Sequence, residues 1–531
     1  MSSVVSFPCD TVVIASARAR APSAPGAEPW VLATTILASS MAFIDGTVVN
    51  VALPAVQATF GATLGEAQWV IEAYELMLGA LLLVGGAAGD RLGRRKVFAI
   101  GVALFTLASV ACGLANSVGF LIVARGVQGV GGALLVPGSL ALLSASFDET
   151  RRGRAIGTWS AFTAITTALG PVLGGFLIDH GSWRYAFFIN VPIALIVLAL
   201  TFRHLPESRD ESARERIDAW GAILAAIGLG GIVYALIEAQ TTSFAAPQVW
   251  GLLAFGGLAL AAFFAVERRH PAPMLPLTLF RSRDFSAANL LTLLLYAALS
   301  GSLFFLPLDL IQVQGYSALS AGAALLPFVL LMFALSRWAG GLVERYGARL
   351  PLAVGPVIAA CGFALFAVPG SGGGSYWTTF FPAAVVLGLG MAVTVAPLTT
   401  TVMQSVSKDS VGAASGVNNA VSTVGGLLAI AGLGMAMSLT FNTELHRGLQ
   451  TADVPTDIVT SIESQRARLA ALKVPASVSV EVRASIERVV AQAFVSGFRL
   501  VMWIAVALAL ASAVTAWLFI GRRAPPPASR D

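Results

Sequence analysis

Charged residues are scarce in this sequence. Of its 531 residues only 11% are Asp, Glu, Lys or Arg, whereas 56% are hydrophobic. Soluble globular proteins carry about 25% charged residues, so the composition indicates an integral membrane protein. The net charge of +5 comes from basic residues scattered through short loops, which argues against a nucleic-acid-binding surface.

Cysteine and histidine are also rare. The three cysteines, Cys9, Cys112 and Cys361, are far apart, so the sequence predicts neither a disulfide framework nor a metal site. The four histidines are isolated, and neither a His-Glu-x-x-His motif nor a Gly-x-x-x-x-Gly-Lys-Ser/Thr phosphate loop is present. We therefore expect no enzymatic activity, no metal and no cofactor, and any driven process must draw on an ion gradient.

Long apolar runs make up most of the chain. A run of about 20 apolar residues suits a helix that crosses a membrane. Fourteen such runs lie near 30–54, 66–88, 97–116, 118–144, 155–178, 184–202, 218–239, 247–266, 286–310, 318–342, 350–369, 377–404, 411–440 and 496–520. The sequence therefore predicts an all-α integral membrane protein with fourteen transmembrane helices.

A ten-residue phrase occurs twice. The segment 86–95 (GAAGDRLGRR) recurs in degenerate form as 340–349 (GGLVERYGAR), and Leu53-Pro54 is matched by Leu306-Pro307. Each copy of the phrase follows a long apolar run. The chain is interpreted as a duplication with two equivalent six-helix halves, an arrangement found in many secondary transporters.

The predicted boundaries follow from this repeat. Residues 203–217 are charged and polar, and the two spans after them have no counterpart in the repeat. The predicted order is a disordered cytoplasmic tail at 1–29, a first half at 30–202, a linker at 203–217, two extra helices at 218–266, a linker at 267–285, a second half at 286–520 and a cytoplasmic tail at 521–531. The second half includes an outer segment, 441–495, whose charge pattern predicts short amphipathic helices.

Basic residues set the predicted orientation. Twenty-three of the 33 lysines and arginines fall in the termini and in the loops that share their side, which places both termini in the cytoplasm. Residues 1–29 lack the ordered charged start, apolar stretch and cleavage site of a signal peptide. We expect a multi-pass protein of the cytoplasmic (inner) membrane.

Five motifs stand in a fixed order along the chain. They are 45–54 (DGTVVNVALP), 86–96 (GAAGDRLGRRK), 125–132 (RGVQGVGG), 170–175 (GPVLGG) and 183–192 (WRYAFFINVP). Together they resemble the major facilitator superfamily and, within it, the fourteen-span drug:proton antiporters of the EmrB/QacA type. This resemblance covers nearly the whole chain. It implies a major facilitator fold and export of amphipathic or cationic toxic compounds in exchange for protons, by alternating access.

The resemblance also assigns roles to two of these motifs. A cytoplasmic gating loop, which in the family holds the outward-facing state and releases it, comprises Gly86, Asp90, Arg91, Gly93, Arg94 and Arg95, with Glu344 and Arg345 as the degenerate counterpart. Its carboxylate is expected to face a helix N-terminus or an arginine of a neighbouring helix. An antiporter motif, associated with export, comprises Gly170, Pro171, Gly174 and Gly175, where proline and small residues predict a bend with close helix contact.

Among the charged residues inside predicted spans, four matter most: Asp45, Glu72, Glu75 and Arg125. A charge in the bilayer costs a few kcal/mol, so such residues are usually functional or paired. At about 1.5 Å per residue, Asp45 lies about 13 Å below the outer end of its helix, and Glu75 and Arg125 lie about 10 Å below theirs. These depths predict a network in which Arg125 lowers the proton affinity of Asp45 or Glu75 while proton and cationic substrate compete. Glu72 is either functional or simply solvated at the outer interface.

Three functions stay open at the level of sequence. The first is a proton-coupled multidrug antiporter, acting as a monomer in the lipid bilayer on small amphipathic or cationic molecules. The alternatives are a narrow exporter of one metabolite or antibiotic, and a membrane sensor that binds ligand without transport. The substrate, the choice between proton and sodium, the role of the outer segment and any adaptor protein stay open as well.

Overall fold

The described part of the chain folds into helices and connecting turns. The computed structural model describes residues 27–209, 218–271, 273–372, 374–407, 410–452, 454–475 and 478–521, and no strand occurs among them. Most of the two predicted tails and residues 210–217 of the predicted linker lie outside the described residues. Within the described chain, fourteen helical segments are long and apolar enough to cross a membrane. The all-α, fourteen-helix prediction is confirmed.

Most spans are single helices, and a few are interrupted. The helices are α1 (Glu28–Phe60), α2 (Leu64–Leu92), α3 (Arg94–Gly113), α4 (Val118–Ser146), α5 (Glu149–His180), α6 (Tyr185–Phe188), α7 (Asn190–His204), α8 (Ala219–Glu238), α9 (Pro247–Glu267), α10 (Arg283–Leu308), α11 (Ala318–Ala323), α12 (Leu326–Gly340), α13 (Leu342–Tyr346), α14 (Arg349–Phe366), α15 (Phe380–Gln404), α16 (Val411–Thr451), α17 (Thr456–Glu463) and α18 (Val480–Phe519). α6 and α7 form the sixth span, and α11 and α12 form the tenth. α10 continues through a π-helical turn, Asp309–Val313.

Local sequence explains how the first helices connect. Gly61 ends α1 in the left-handed conformation, with a φ of 64°. The Thr63 hydroxyl accepts the N–H of Glu66, and the Glu66 carboxylate accepts the N–H of Thr63, which forms a capping box at the start of α2. The resulting turn is short, so α1 and α2 run antiparallel through the bundle.

The helices form two halves and an extra pair. α1–α7 make the first half and α10–α18 the second half, while α8 and α9 pack on each other and α8 contacts both α2 and α16. An apolar cluster holds that junction together. Its buried members are Leu76, Val233, Ile237, Leu427 and Ala431.

We call the side on which α1 begins the near face and the side on which it ends the far face. At the far face the Gln312 amide donates to the Gln57 amide oxygen across 2.9 Å. The carboxylate of Asp179, at the far end of α5, accepts the N–H groups of Ala318 and Leu319 at 3.0 and 2.9 Å. A further hydrogen bond between the halves, from the Gln68 amide of α2 to the carbonyl of Ile430 on α16, also lies in the part of the bundle toward this face. The structure is therefore closed at the far face.

The outer segment, 441–495, matches the prediction of short amphipathic helices only in α17. α16 continues to Thr451 and α18 begins at Val480, so that α17 and a short 3-10 helix are the separate helices between them. The two extensions pack together as a hairpin, because a Cβ at Gly448 would lie 2.5 Å from the Val489 side chain. Apolar residues at helical spacing on both extensions are buried: Phe441, Leu445, Leu449, Ile486, Val490 and Phe494. The charge pattern at 482–489, which predicted a separate helix, belongs to the extension of α18, whereas the pattern at 462–468 lies in α17 and the 3-10 helix.

Glycines bring neighbouring helices of the first half into backbone contact. An added Cβ at Gly131 of α4 would lie 2.5 Å from the backbone nitrogen of Phe105 in α3. At Gly85 of α2 it would overlap the carbonyl of Ala133 in α4. Small residues suit such contacts because lipid tails leave no hydrophobic drive for helix association, and close packing supplies the attraction instead.

Gly131→Val is expected to destabilise the folded protein by about 1–3 kcal/mol, because the added methyl groups must push α3 and α4 apart. Thermal unfolding in detergent, followed by size-exclusion chromatography, measures this loss. Gly119→Val is the matched control, since Gly119 on the same helix has no heavy atom within 4 Å of an added Cβ. Equal midpoint temperatures for the two variants would contradict the tight α3–α4 contact.

Candidate functional site

A charged pair lies in the middle of the first half. Nη1 of Arg125, on α4, lies 2.5 Å from Oδ2 of Asp45, on α1. The Asp45 side chain is wholly buried, and that of Arg125 is 1% exposed. The structure thus brings together two of the four charged residues that the sequence singled out.

Neutral side chains complete the surroundings of the Asp45 carboxylate. Nε2 of Gln128 donates to Oδ1 at 2.8 Å, and Nδ2 of Asn190 donates to the same oxygen at 3.1 Å. Gln128 also accepts a hydrogen bond from Arg125 at 2.8 Å, and Asn190 also donates to the Ser109 hydroxyl at 2.9 Å. Both carboxylate oxygens are therefore hydrogen-bonded, as a buried charge in a low-dielectric site requires.

Arg125 is fixed from a third helix. Its Nε donates to the backbone carbonyl of Val70 on α2 at 2.9 Å. The guanidinium carbon also lies 4.2 Å from the centroid of the Tyr74 ring, also on α2, which is a favourable cation–π distance. Movement of Arg125 therefore disturbs α1, α2 and α4 together.

Sequence reasoning identifies the charged pair but misses its neutral partners. Gln128 and Asn190 fall within the recognised motifs, yet nothing in those motifs shows that both face Asp45. Gln128 offers one usable signal, because a residue three positions after Arg125 lies on the same helix face. Asn190 and Ser109 offer none, since their directions depend on how α3 and α7 pack against α1.

Glu72 and Glu75, the two glutamates of α2 that the sequence singled out, lie in different surroundings. Glu75 is partly exposed, and its Oε1 lies 4.0 Å from the Cβ position of Gly46, the residue after Asp45. It interacts electrostatically with Arg125 and Asp45. Glu72 is wholly buried, and neither of its carboxylate oxygens has a hydrogen-bond partner. The structure brings Glu75, but not Glu72, to the charged pair, and a solvated Glu72 is ruled out in this conformation.

The second half carries a neutral polar cluster. Nδ2 of Asn418, on α16, donates to Asn289 and Thr292 of α10 at 3.1 and 2.7 Å. All three side chains are buried. Asp309 is also buried, but it lies in the π-helical turn at the far end of α10. Within the described spans, the buried Asp45–Arg125 ion pair therefore lies in the first half, and the second half has a neutral cluster instead.

The predicted gating loop joins α2 to α3 at the near face. Gly93 has a φ of 111°, which an L-residue adopts only with strain. Oδ1 of Asp90 lies 2.7 Å from Nη2 of Arg94, the first residue of α3. Arg95 donates to the carbonyl of Leu205, just after α7, at 3.1 Å. The contacts described for this loop stay within the first half, so the loop holds its own helices together in this conformation.

The other predicted gating residues make looser contacts. A Cβ at Gly86 would lie 3.7 Å from Pro137 of α4, and Arg91 is exposed. Glu344 and Arg345 are exposed on α13, on the near side of the second half. The degenerate copy at 340–349 therefore lies on the near side of its half, as the first copy does. Among the described residues, an ion pair to the next helix like Asp90–Arg94 is seen in the first copy alone.

The predicted antiporter motif lies against α1 next to the charged pair. An added Cβ at Gly174 would lie 2.9 Å from the Val48 side chain, and at Gly170 it would overlap the Thr47 hydroxyl. Thr47 and Val48 follow Asp45 on α1. Close packing of α5 on α1 therefore depends on the absence of side chains at both glycines.

The same motif also contacts the second half. A Cβ at Gly175 would overlap the backbone of Ala318 and Leu319 on α11, and a Cβ at Gly322 of α11 would overlap the carbonyl of Pro171. Pro171 lies inside α5 without ending it. The motif therefore forms part of the contact that closes the far face.

Arg125→Gln is expected to destabilise the protein by about 3–5 kcal/mol, because it leaves the Asp45 carboxylate buried without a cation. Adding Asp45→Asn to this variant should restore most of the loss, since the pocket then holds only neutral amides. A double-mutant cycle of thermal unfolding in detergent measures the coupling. Strictly additive effects of the two substitutions would contradict a direct Asp45–Arg125 interaction.

Gly175→Ala is expected to open the far face, because the added methyl group pushes α5 away from α11. A cost of about 1–3 kcal/mol for overpacking lowers the ratio of closed to open molecules by about 5- to 150-fold. The reaction rate of a cysteine introduced at Gln57 with a membrane-impermeant maleimide measures this ratio. Gly153→Ala, on the same helix in open space, should leave that rate unchanged, and an unchanged rate in both variants would contradict the assignment.

Known proteins resemble the chain over most of its length. It is 33% identical to the tetracenomycin C resistance and export protein of Streptomyces glaucescens, over 94% of this chain and 92% of that protein. It is 36% identical to multidrug resistance protein Stp of Mycobacterium tuberculosis, over 79% of this chain and 78% of that protein. A puromycin resistance protein of Streptomyces alboniger is 37% identical, over 76% of this chain and 80% of that protein.

Solved transporters share the fold. A bacterial homolog of the human lysosomal transporter Spinster, in an inward-facing and unoccupied conformation, superposes with a TM-score of 0.67 at 18% identity, covering 93% of this chain and 97% of that one. The nucleoside transporter NupG superposes with a TM-score of 0.59 at 12% identity, covering 93% and 100%. Residues 35–430 match the Major Facilitator Superfamily. The resemblance carried by the five sequence motifs is confirmed, and the chain belongs to the major facilitator superfamily of membrane transporters.

Proposed function

We propose that this protein is a proton-driven antiporter that exports amphipathic or cationic toxic compounds. The observation that carries the proposal is the buried Asp45–Arg125 pair with the partly exposed Glu75 carboxylate beside it. Charged groups at membrane depth are costly and mark ion or substrate pathways. The relatives include multidrug, tetracenomycin C and puromycin resistance proteins, which supports export of toxic compounds.

Glu75 is the group at which proton and substrate exclude one another in the proposed cycle. It is partly exposed, whereas Asp45 is enclosed by its partners. A proton or a cationic substrate that enters from water therefore meets Glu75 first. Either one neutralises the carboxylate and removes the attraction for the other, which is the minimum that antiport requires.

Asp45 links this exchange to helix movement. Its carboxylate holds side chains from α4 and α7. A proton on Asp45 removes the ion-pair attraction, and Arg125 then turns toward the ionised Glu75. Because Arg125 is also bound to the α2 backbone, this change of partner moves α1 relative to α2 and α4 and biases the balance between two conformations.

Orientation and energy source form part of the same proposal. The near face is cytoplasmic, because 23 of the 33 basic residues lie in the termini and in the loops that share their side. The structure closed at the far face is then the inward-facing state of a monomer in the cytoplasmic membrane. The proton gradient supplies the energy without a cofactor, and the gating loop engages the second half when the near face closes.

Proton movement in inverted membrane vesicles tests the proposal. Adding a panel of cationic dyes to vesicles with an acidified lumen should release protons, measured as recovery of a quenched pH-sensitive fluorophore. Asp45→Asn should reduce the response to that of vesicles without the transporter, because the carboxylate can no longer exchange a proton. The panel separates a multidrug exporter from one that accepts a single compound.

Asp457→Asn is the matched control for this measurement. Asp457 is exposed on α17, in the far-face segment, and its substitution should leave the response to every dye unchanged. Full proton release by Asp45→Asn would remove Asp45 from the coupling mechanism. A folded native protein that releases no protons with any dye would instead favour a narrow exporter or a sensor.

A further inference from the structure

Glu72 is a buried acid that the charged pair does not explain. Its side chain is wholly buried, and neither Oε1 nor Oε2 has a hydrogen-bond partner. It lies on α2, within a membrane-spanning helix. An ionised carboxylate in such a place, with neither cation nor donor, is strongly unfavourable.

The neighbours of Glu72 along α2 show what covers it. Four residues earlier, Gln68 donates to the carbonyl of Ile430 on α16 at 2.6 Å. Four residues later, Leu76 belongs to the apolar cluster formed with α8 and α16. Residues four apart lie on one face of a helix, so Glu72 lies between these two contacts, where α2 meets α16 of the second half.

The extra helices close this junction from the third side. Nε2 of Gln240, just after α8, donates to the Gln68 side chain at 2.8 Å. A Cβ at Gly434 of α16 would touch the amides of both glutamines. Glu72 is thus enclosed between α2, α16 and α8, in the part of the bundle toward the far face.

Charged and titratable groups on these three helices do not compensate Glu72. On α2, Glu66 is engaged in the cap with Thr63, and Glu75 faces the charged pair. On α8, Tyr234 lies beside Trp69, and Glu238 stands at the helix end. On the extension of α16 are Glu444, His446 and Arg447, which pair with one another or with Glu463.

We propose that Glu72 is a second proton-binding residue of the transporter, which takes up a proton when the far face closes and releases it when that face opens. Opening separates α2 from α16 and brings Glu72 into contact with water on the far side, where it ionises. Closing returns it to the apolar junction, which accepts only the neutral acid. No other group needs to change, since the proton comes from water and returns to it.

This inference deepens the proposed antiport cycle and rests on it. In the proposed orientation the far face is external, so a proton from outside favours closure toward the inward-facing state. One proton taken up on closure changes the ratio of closed to open molecules by up to tenfold for each pH unit. External acid therefore favours the inward-facing state, and because the proton returns to the external side on opening, Glu72 biases the conformation without carrying a proton across the membrane.

The experiment measures the conformation directly, without substrate or transport. Spin labels at Asn116→Cys and Ser375→Cys report the separation of the two halves, because these exposed positions lie in far-face loops of the first and second half. Cys9 and Cys361 are replaced by serine, and Cys112 is kept because it is wholly buried. Distance distributions are recorded by pulsed electron spin resonance between pH 5 and pH 8 in detergent micelles.

The closed population of the labelled protein should increase as the pH falls. Glu72→Gln, which mimics the protonated acid, should be closed across the whole pH range. The dependence of the ratio of closed to open molecules on pH should be weaker than in the parent by up to tenfold per pH unit. Glu238→Gln, the same substitution at the far end of α8, should keep the slope of the parent. Should Glu72→Gln not fold, Glu72→Leu makes the same test.

Two results would overturn the inference: a closed population that does not change with pH in the parent, or an equal pH slope in the parent and in Glu72→Gln. Neither result bears on whether dyes release protons from vesicles, so the antiport proposal would stand or fall on its own measurement. Conversely, the protein could transport none of the dyes and still close at low pH in a way that depends on Glu72. That result would support Glu72 as the proton site and reject the proposed substrate class.

Discussion

The cost of placing a charge inside a bilayer organises this molecule. Asp45 and Arg125 are stable at membrane depth because each compensates the other and because Gln128, Asn190 and the Val70 carbonyl supply the remaining hydrogen bonds. Removing any one partner leaves a polar group unsatisfied in a low-dielectric environment. The network therefore joins α1, α2, α4 and α7 in this conformation, and it does so only while Asp45 and Arg125 are both charged.

Contacts between the two halves are less extensive than contacts within the first half. Within the first half the helices meet along extended glycine-lined faces, whereas the far-face closure depends on Gly175 and Gly322, a few amides and the Asp179 carboxylate. Such contacts are short and partly exposed, so they separate without unfolding either half. Of the two extra helices, α8 contacts α2 of the first half and α16 of the second, and α9 packs on α8. The extra helices therefore lie beside the contact between the two halves and belong to neither half.

Much of the fold could be predicted from the sequence, and less of the site. Fourteen spans, their order and the duplication follow from apolar length and from the repeated phrase, because a bilayer imposes a length on every helix. The pairing of Asp45 with Arg125 could be predicted from their similar depths below the outer ends of their helices. The position of Asn190 could not, since its direction depends on the break between α6 and α7. The burial of Glu72 could not either, because the packing of α8 and α16 over it leaves no periodic signal. The far-face hairpin was missed because its outward charges hid a buried apolar stripe.

The continuous helices α16 and α18 have a mechanical consequence. Each is a single rod of 41 or 40 residues, about 60 Å long at the rise of an α-helix. About half of such a rod lies beyond the point where α16 touches α2, and a tilt of about 10° at that point would displace the tip by about 5 Å. The hairpin thus amplifies a small rearrangement within the membrane into a larger movement outside it.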